Sequence, residues 1–166
     1  MTRPRAAGVL SRSDIDKLLR RPLLARLATV DSGGYPSIVP VWHHWDGEAA
    51  WLVARAAARY VADIQREPRV GLSVVADDDL DVRVQLRGRA TIVEGPGPLT
   101  GRMLEIARAM ADRYEGPEGL SYIEESREWP RCLVRIDPVR LLAWGSSDWH
   151  DRYKQTDDTD PGRPIR

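Results

Sequence analysis

The chain has no phenylalanine and a single cysteine, Cys132. One thiol excludes an intrachain disulfide and any Cys-rich zinc or iron–sulfur centre. There are 3 histidines and no His-Glu-x-x-His spacing, so no metal centre is expected. Lysine is almost absent, with Lys17 and Lys154 standing against 23 arginines. Net charge is absent too: 25 basic residues balance 25 acidic ones. A nonspecific nucleic-acid binder usually carries a basic excess, so nucleic acid is not the expected partner. No apolar run approaches the ~20 residues of a membrane helix. The opening stretch MTRPRAAGVLSRSD has no long apolar core and no cleavage site, so the expected compartment is the cytoplasm. No Gly-rich loop follows a strand, which removes the Rossmann and P-loop readings. No Gly-x-Ser-x-Gly elbow supports serine hydrolase chemistry.

What remains is a chain of 166 residues, 42% hydrophobic and 30% charged, suited to one globular domain with its own core. That domain is expected over residues 1–155, with a helical arm at 13–20 and a polar, flexible tail at 156–166. Ser13-Asp14 is the expected cap of the arm, with Ile15, Leu18 and Leu19 on one face. Leu23–Val30 reads as a first strand. Asp31-Ser32-Gly33-Gly34 reads as a turn and Ser37–Trp45 as a second strand. Asp46-Gly47 is a hairpin signal, followed by a third strand at Ala49–Val53. Between Ala54 and Glu67 the period becomes helical, until Pro68 closes it. Arg69–Ala76 and Val82–Val93 read as strands, with Gly88 marking a bulge or bend. Leu99–Tyr114 is a helix, a second short one follows at Leu120–Arg127, and a last strand runs from Cys132 to Trp144 with a kink at Pro138. About six short strands joined by hairpin turns predict a mainly β, antiparallel barrel with flanking helices rather than a parallel sheet.

Four segments, in this order and spacing, carry a resemblance: ARLATVDSGGYP (25–36), SIVPVWHHWDG (37–47), WLVA followed by a helix ending REPRVGLSV (51–74), and LRGRATIVEG (86–95). Together they resemble the pyridoxamine-phosphate-oxidase-like split-barrel family of flavin and deazaflavin oxidoreductases. The resemblance implies an FMN-binding split barrel that works as a homodimer, with FMN or coenzyme F420 between two barrels and a small-molecule substrate beside it. It places the cofactor phosphate at Val53, Ala54, Arg55, Arg59 and Tyr60, with Arg59 matching the family's phosphate-binding arginine. The physical basis is general, since helix N–H groups and guanidinium forks both favour a phosphate. Tyr60 stands where the classical oxidases carry Lys, and Ala54 where they carry Thr. These departures turn the expectation away from pyridoxamine-phosphate oxidation and toward the actinobacterial branch that uses F420. Arg55, expected one helical turn from Arg59, would restore the lost charge.

The resemblance also implies that Ile38, Val39, Pro40, Val41, Trp42 and His43 border the flavin ring. It places Arg83 and Gln85 facing that ring from a long strand, and Trp144 and Trp149 as a wall on the substrate side. His43, Tyr60 or water would supply the proton for hydride chemistry. His43 and His44 are adjacent on a strand, point to opposite faces, and are not expected to share a metal. Loss of the Lys and Thr equivalents leaves a second expectation open: a non-catalytic carrier or sensor of flavin, deazaflavin or haem on the same fold. A dimeric scaffold without a ligand is a third.

Overall fold

The computed structural model describes residues 10–145. Helix α1 (Arg12–Leu19) begins at Ser11, whose hydroxyl accepts from the Asp14 N–H at 3.2 Å. The cap is therefore Ser11 and not the expected Ser13-Asp14 pair. Ile15, Leu18 and Leu19 form its buried face, each worth at most about 1.5–3 kcal/mol of burial. The arm is thus a part of the core.

Strands β1 (Ala25–Val30) and β2 (Pro36–Val41) form the first hairpin. Asp31 makes the turn: its Oδ1 accepts from the N–H groups of Gly33 and Tyr35 at 2.8 and 2.9 Å, and Gly34 takes φ 82°. Pro36 and Pro40 lack N–H donors, which confines β2 to a sheet edge. The expected long second strand stops at Val41. After Trp42 and His43 the chain resumes as β3 (His44–Trp45), paired with β4 (Ala50–Arg55) across the Asp46-Gly47 turn. Asp46 Oδ1 accepts from Glu48 and Ala49 N–H, both at 2.8 Å, and Gly47 has φ 104°.

Helix α2 (Arg59–Arg66) starts five residues later than the sequence pattern suggests. Arg55 is therefore on a strand and not one helical turn from Arg59. The β4–β7 ladder holds Arg55 opposite Arg131, and Ala56 N–H donates to Pro130 O at 3.0 Å. Backbone pairing overrides the helix preference of the alanines. Strands β5 (Arg69–Val75), β6 (Val82–Gly97) and β7 (Arg131–Gly145) complete the sheet. At Gly88 the expected bulge is present. Arg87 pairs with Arg140 and Gly88 with Pro138, so Val139 is the extra residue. A Cβ at Gly88 would fall 2.6 Å from Asp137 O.

The sheet is antiparallel throughout, with seven strands rather than six, in the order β2-β1-β5-β6-β7-β4-β3. β2 and β3 are its two edges, yet only Trp42 and His43 separate them in the chain. Three residue steps span at most about 10 Å, so the sheet must curl until its edges approach. One apolar cluster accordingly collects inward side chains from every strand, including Leu27, Trp45, Leu52, Leu72, Leu86 and Val134. Trp45 adds a tie to α1, its Nε1–H donating to Asp16 Oδ1 at 2.8 Å.

Helix α3 (Gly101–Glu125) lies outside the sheet. It breaks at Gly116 (φ 61°, ψ −139°), just before Pro117, into two segments that match the two expected helices. A second apolar cluster binds it to the sheet, joining Met103, Ile106, Met110 and Ile123 to Trp51 and Leu133. No helix among the described residues is long and apolar enough to cross a membrane.

Candidate functional site

A cleft of about 390 Å³ opens where the end of β2, the end of β4 and both segments of α3 face one another. Its floor and near wall are Pro40, Val41, Trp42, Leu52 and Val53. Its far wall is Ala107 and Met110 from the first half of α3, with Tyr122 and Ile123 from the second. Tyr60 of α2 and two arginines, Arg55 and Arg131, close one end. Trp42 is held flat by Tyr114, whose ring is stacked 5.1 Å away and 8° from parallel.

Of the residues implied as cofactor contacts, the structure gathers Pro40, Val41, Trp42, Val53, Arg55 and Tyr60 on this cleft. Others lie elsewhere. Ile38 is 66% exposed on β2, and Val39 packs against the core. Ala54 is wholly buried on the inner side of β4. Arg59 opens α2 as an exposed side chain and does not line the cleft. Arg83 and Gln85 project from the outer face of β6, where the Arg83 guanidinium lies 5.2 Å from the centre of the Trp144 ring, its cross-strand partner. This pairing joins two implied positions to each other but not to the cleft. Trp149 lies outside the described residues.

His43 has no exposed surface and is enclosed between α1 and α3. Its Nε2 is 2.9 Å from Leu19 O, which fixes the proton on that nitrogen. Its Nδ1 is 3.1 Å from the Tyr114 hydroxyl, whose single proton lies between that nitrogen and Leu23 O at 2.7 Å. Burial, followed by the nearby Arg113 charge, lowers its pKa to about 4, so the ring is neutral near pH 7. As a proton donor to a ligand it is badly placed, because both nitrogens face protein atoms inside the wall. Arg113 caps the same knot by donating to His43 O.

Tyr60 does reach the cleft. Burial raises its phenol pKa while Arg131 and Arg55 oppose the shift, so it stays protonated. Cys132 is buried, which raises its thiol pKa and removes it from nucleophilic duty. A second hollow of about 290 Å³ on the other side of α3 is lined by His44, Asp46, Trp51, Arg102 and Glu105. Among the described residues no group of three His, Cys, Asp or Glu side chains can hold a metal.

Tyr122, Arg131, Met110 and Ile123 are absent from the sequence-based site. Arg131 joins it through the strand register, directly opposite Arg55. The α3 residues join it through packing of a helix some fifty residues beyond β4. Apart from their helical spacing, no local signal marks them.

The fold belongs to a known class. A family model for pyridoxamine 5'-phosphate oxidase matches residues 12–145, and the chain belongs to that family. No curated protein matches it. Among solved structures it is similar to an F420 reductase, with 27% identity and TM-score 0.59, over 76% of this chain and 94% of that one. It is also similar to a conserved hypothetical protein from Mycobacterium tuberculosis, with 28% identity and TM-score 0.70, over 86% and 89% of the two chains. The haem storage protein of Vibrio cholerae shares the fold at 20% identity and TM-score 0.63, over 80% and 94%.

Proposed function

We propose that this protein is an oxidoreductase that holds a flavin or deazaflavin, FMN or coenzyme F420, in the cleft beside α3. The observation that carries the reading is the composition of that cleft. Flat and apolar walls (Trp42, Val53, Met110, Ile123) lead to one cationic end (Arg55, Arg131). Such a site fits a planar ring with an anionic tail. The membership of the family and the 27% identity to an F420 reductase support the same reading. When bound, the cofactor would supply hydride transfer to or from a small planar organic substrate.

The chain's own part is to bind and orient. Trp42, braced by Tyr114, offers a rigid face. Tyr60 holds a phenolic proton at the cleft and is the candidate donor, since His43 is enclosed. Exposed apolar side chains, Tyr35 at 73%, Ile38 at 66% and Val139 at 74%, support association into a homodimer. The balanced charge supports a small-molecule ligand over a nucleic acid.

The test is a titration of purified protein with FMN and with coenzyme F420, followed by fluorescence quenching, then reduction and turnover assays. Binding of one, with a bound form that reductants and acceptors can cycle, is the expected outcome. If neither binds folded protein, the reading fails. A second reading is favoured by the enclosure of His43: the two tyrosines Tyr60 and Tyr122 are the only phenol or imidazole groups lining the cleft among the described residues. A non-catalytic carrier or sensor of flavin, deazaflavin or haem would show tight binding without turnover.

A further inference from the structure

The hollow of about 290 Å³ on the other side of α3 shares no lining residue with the cleft. The β3–β4 hairpin supplies His44, Asp46 and Trp51 to it, and the first turns of α3 supply Arg102, Glu105 and Ile106. Trp51 is fixed in place: it is 2% exposed, and its Nε1–H donates to Asp46 Oδ2 at 2.6 Å. The Arg102 guanidinium lies 3.9 Å from the centre of that indole ring. A guanidinium resting on an aromatic face keeps the donors at its edge free. Among the described residues those donors meet no acceptor and no carboxylate. Neither ring nitrogen of His44 has a hydrogen-bond partner among them, and Nδ1 is enclosed. His43, one residue earlier, has both nitrogens turned to protein atoms.

The field in the hollow is positive, and His44 registers it. Burial lowers its pKa first and the Arg113 charge second; Asp46 opposes them, and Arg102 and Arg20 add to the lowering. Three guanidinium groups thus outweigh one carboxylate. None of the three has a carboxylate partner among the described residues. Arg135, 5.3 Å from the Trp51 ring, is already paired with Asp137 at 2.7 Å. Asp46 is committed too: Oδ1 accepts from the Glu48 and Ala49 N–H groups and Oδ2 from Trp51. Glu105, exposed and three positions from Arg102, is the other carboxylate on the hollow.

An unmatched guanidinium edge beside an imidazole calls for an oxyanion. Ile106 and Ala109 add an apolar side, and the volume leaves room for an organic body. Asp46 and Glu105 oppose a second negative charge. We infer that this hollow is a second small-molecule site, separate from the cleft, that takes an organic monocarboxylate. The carboxylate sits on the edge of Arg102 and the ring of His44, and the apolar body lies against Ile106 and Ala109. The site goes beyond the cofactor reading and stands whether or not the cleft holds a flavin.

The test uses the full chain with benzoate, acetate and inorganic phosphate as probes at constant ionic strength. NMR follows the His44 ring signals and calorimetry the affinity. Benzoate should shift those signals saturably and raise the pH at which the ring titrates, since a bound anion favours the imidazolium against Arg113, Arg102 and Arg20. Acetate should bind more weakly for want of an apolar body, and phosphate more weakly than benzoate for its second charge. Arg102→Gln should weaken benzoate by about tenfold or more. Arg102→Lys, which keeps the charge without the fork, should fall between. Glu105→Gln should tighten benzoate and narrow its lead over phosphate, an effect that lost packing does not produce. Both positions are exposed, so these variants leave the core intact. Unmoved His44 signals, parent-like benzoate affinity in Arg102→Gln, or tighter binding of phosphate than of benzoate overturns the inference. So does benzoate binding that is lost in Arg55→Gln and kept in Arg102→Gln, which assigns the probe to the cleft.

Discussion

His43 and Leu19 are joined by a hydrogen bond of 2.9 Å from Nε2 to the last carbonyl of α1, entirely within the protein. The bond fixes the proton on Nε2 and ties the first helix to the point where the sheet passes from one edge to the other, while burial and then the Arg113 charge keep the ring neutral.

The enclosure of that ring makes stability depend on pH. In the fold His43 titrates near 4, below its ordinary 6.5, because burial and then Arg113 disfavour the imidazolium. As pH falls, the unfolded chain takes up the proton first. The stabilisation is therefore full above about pH 6.5 and is lost progressively toward pH 4, by about 3 kcal/mol across the window. Urea unfolding between pH 4.5 and 7 measures it. His43→Gln keeps a donor for Leu19 O but cannot titrate there, and should flatten most of the slope. His44, also lowered by burial and Arg113, leaves a remainder. Identical slopes for the two proteins would contradict this account.

The stacked pair of Trp42 and Tyr114 gives a second expectation. Trp42→Ala removes both a cleft wall and the stack, and should destabilise by about 3 kcal/mol or more. Trp42→Phe keeps a ring against Tyr114 and should recover most of that loss. Ligand affinity should fall in the same order. Chemical denaturation and cofactor titration of both variants check it, and an alanine variant as stable as the parent would refute it.

Gly88 should tolerate no side chain. Its missing Cβ leaves room for Asp137 O and for Ile136 Cγ2, which would otherwise be 2.6 and 2.9 Å away. Gly88→Ala must push apart β6 and β7 at the bulge, at a cost of about 1–3 kcal/mol. Gly97 has nothing within 4 Å of a built Cβ and serves as the control. A fall in Tm for Gly88→Ala and little change for Gly97→Ala is the expected result.

Cys132 should be silent toward thiol reagents in the native state. It is 3% exposed and its thiol pKa is raised by burial. Ellman's reagent should react only as the protein unfolds, at the rate of unfolding. Rapid reaction under native conditions would show that the β4–β7 seam opens easily.

What could be read in advance follows the range of the interactions. The turns at Asp31–Gly34 and Asp46-Gly47 are set by side-chain acceptors and positive φ within four residues, and the sequence displays them. The interruption of α3 is local too, at Gly116-Pro117. The end of β2 is not. Nothing at Trp42 or His43 announces a break, because barrel curvature imposes it. Arg55 looked helical amid alanines, and only its register with Arg131, seventy-six positions away, holds it in a strand. The cationic end of the cleft was therefore invisible as a pair, though the resemblance had already drawn attention to one member of it.

The chain between β2 and β3 has one further consequence. Trp42 belongs to the cleft and His43 to the interior, so a single peptide plane separates the cleft from the core. Evolution cannot widen the cleft on that side without unsettling the knot behind it. The opposite side is freer: Met110 and Ile123 hang on a helical hairpin outside the sheet. Divergence in ligand preference among relatives is expected to concentrate there, on the hairpin, while the Trp-His junction changes slowly.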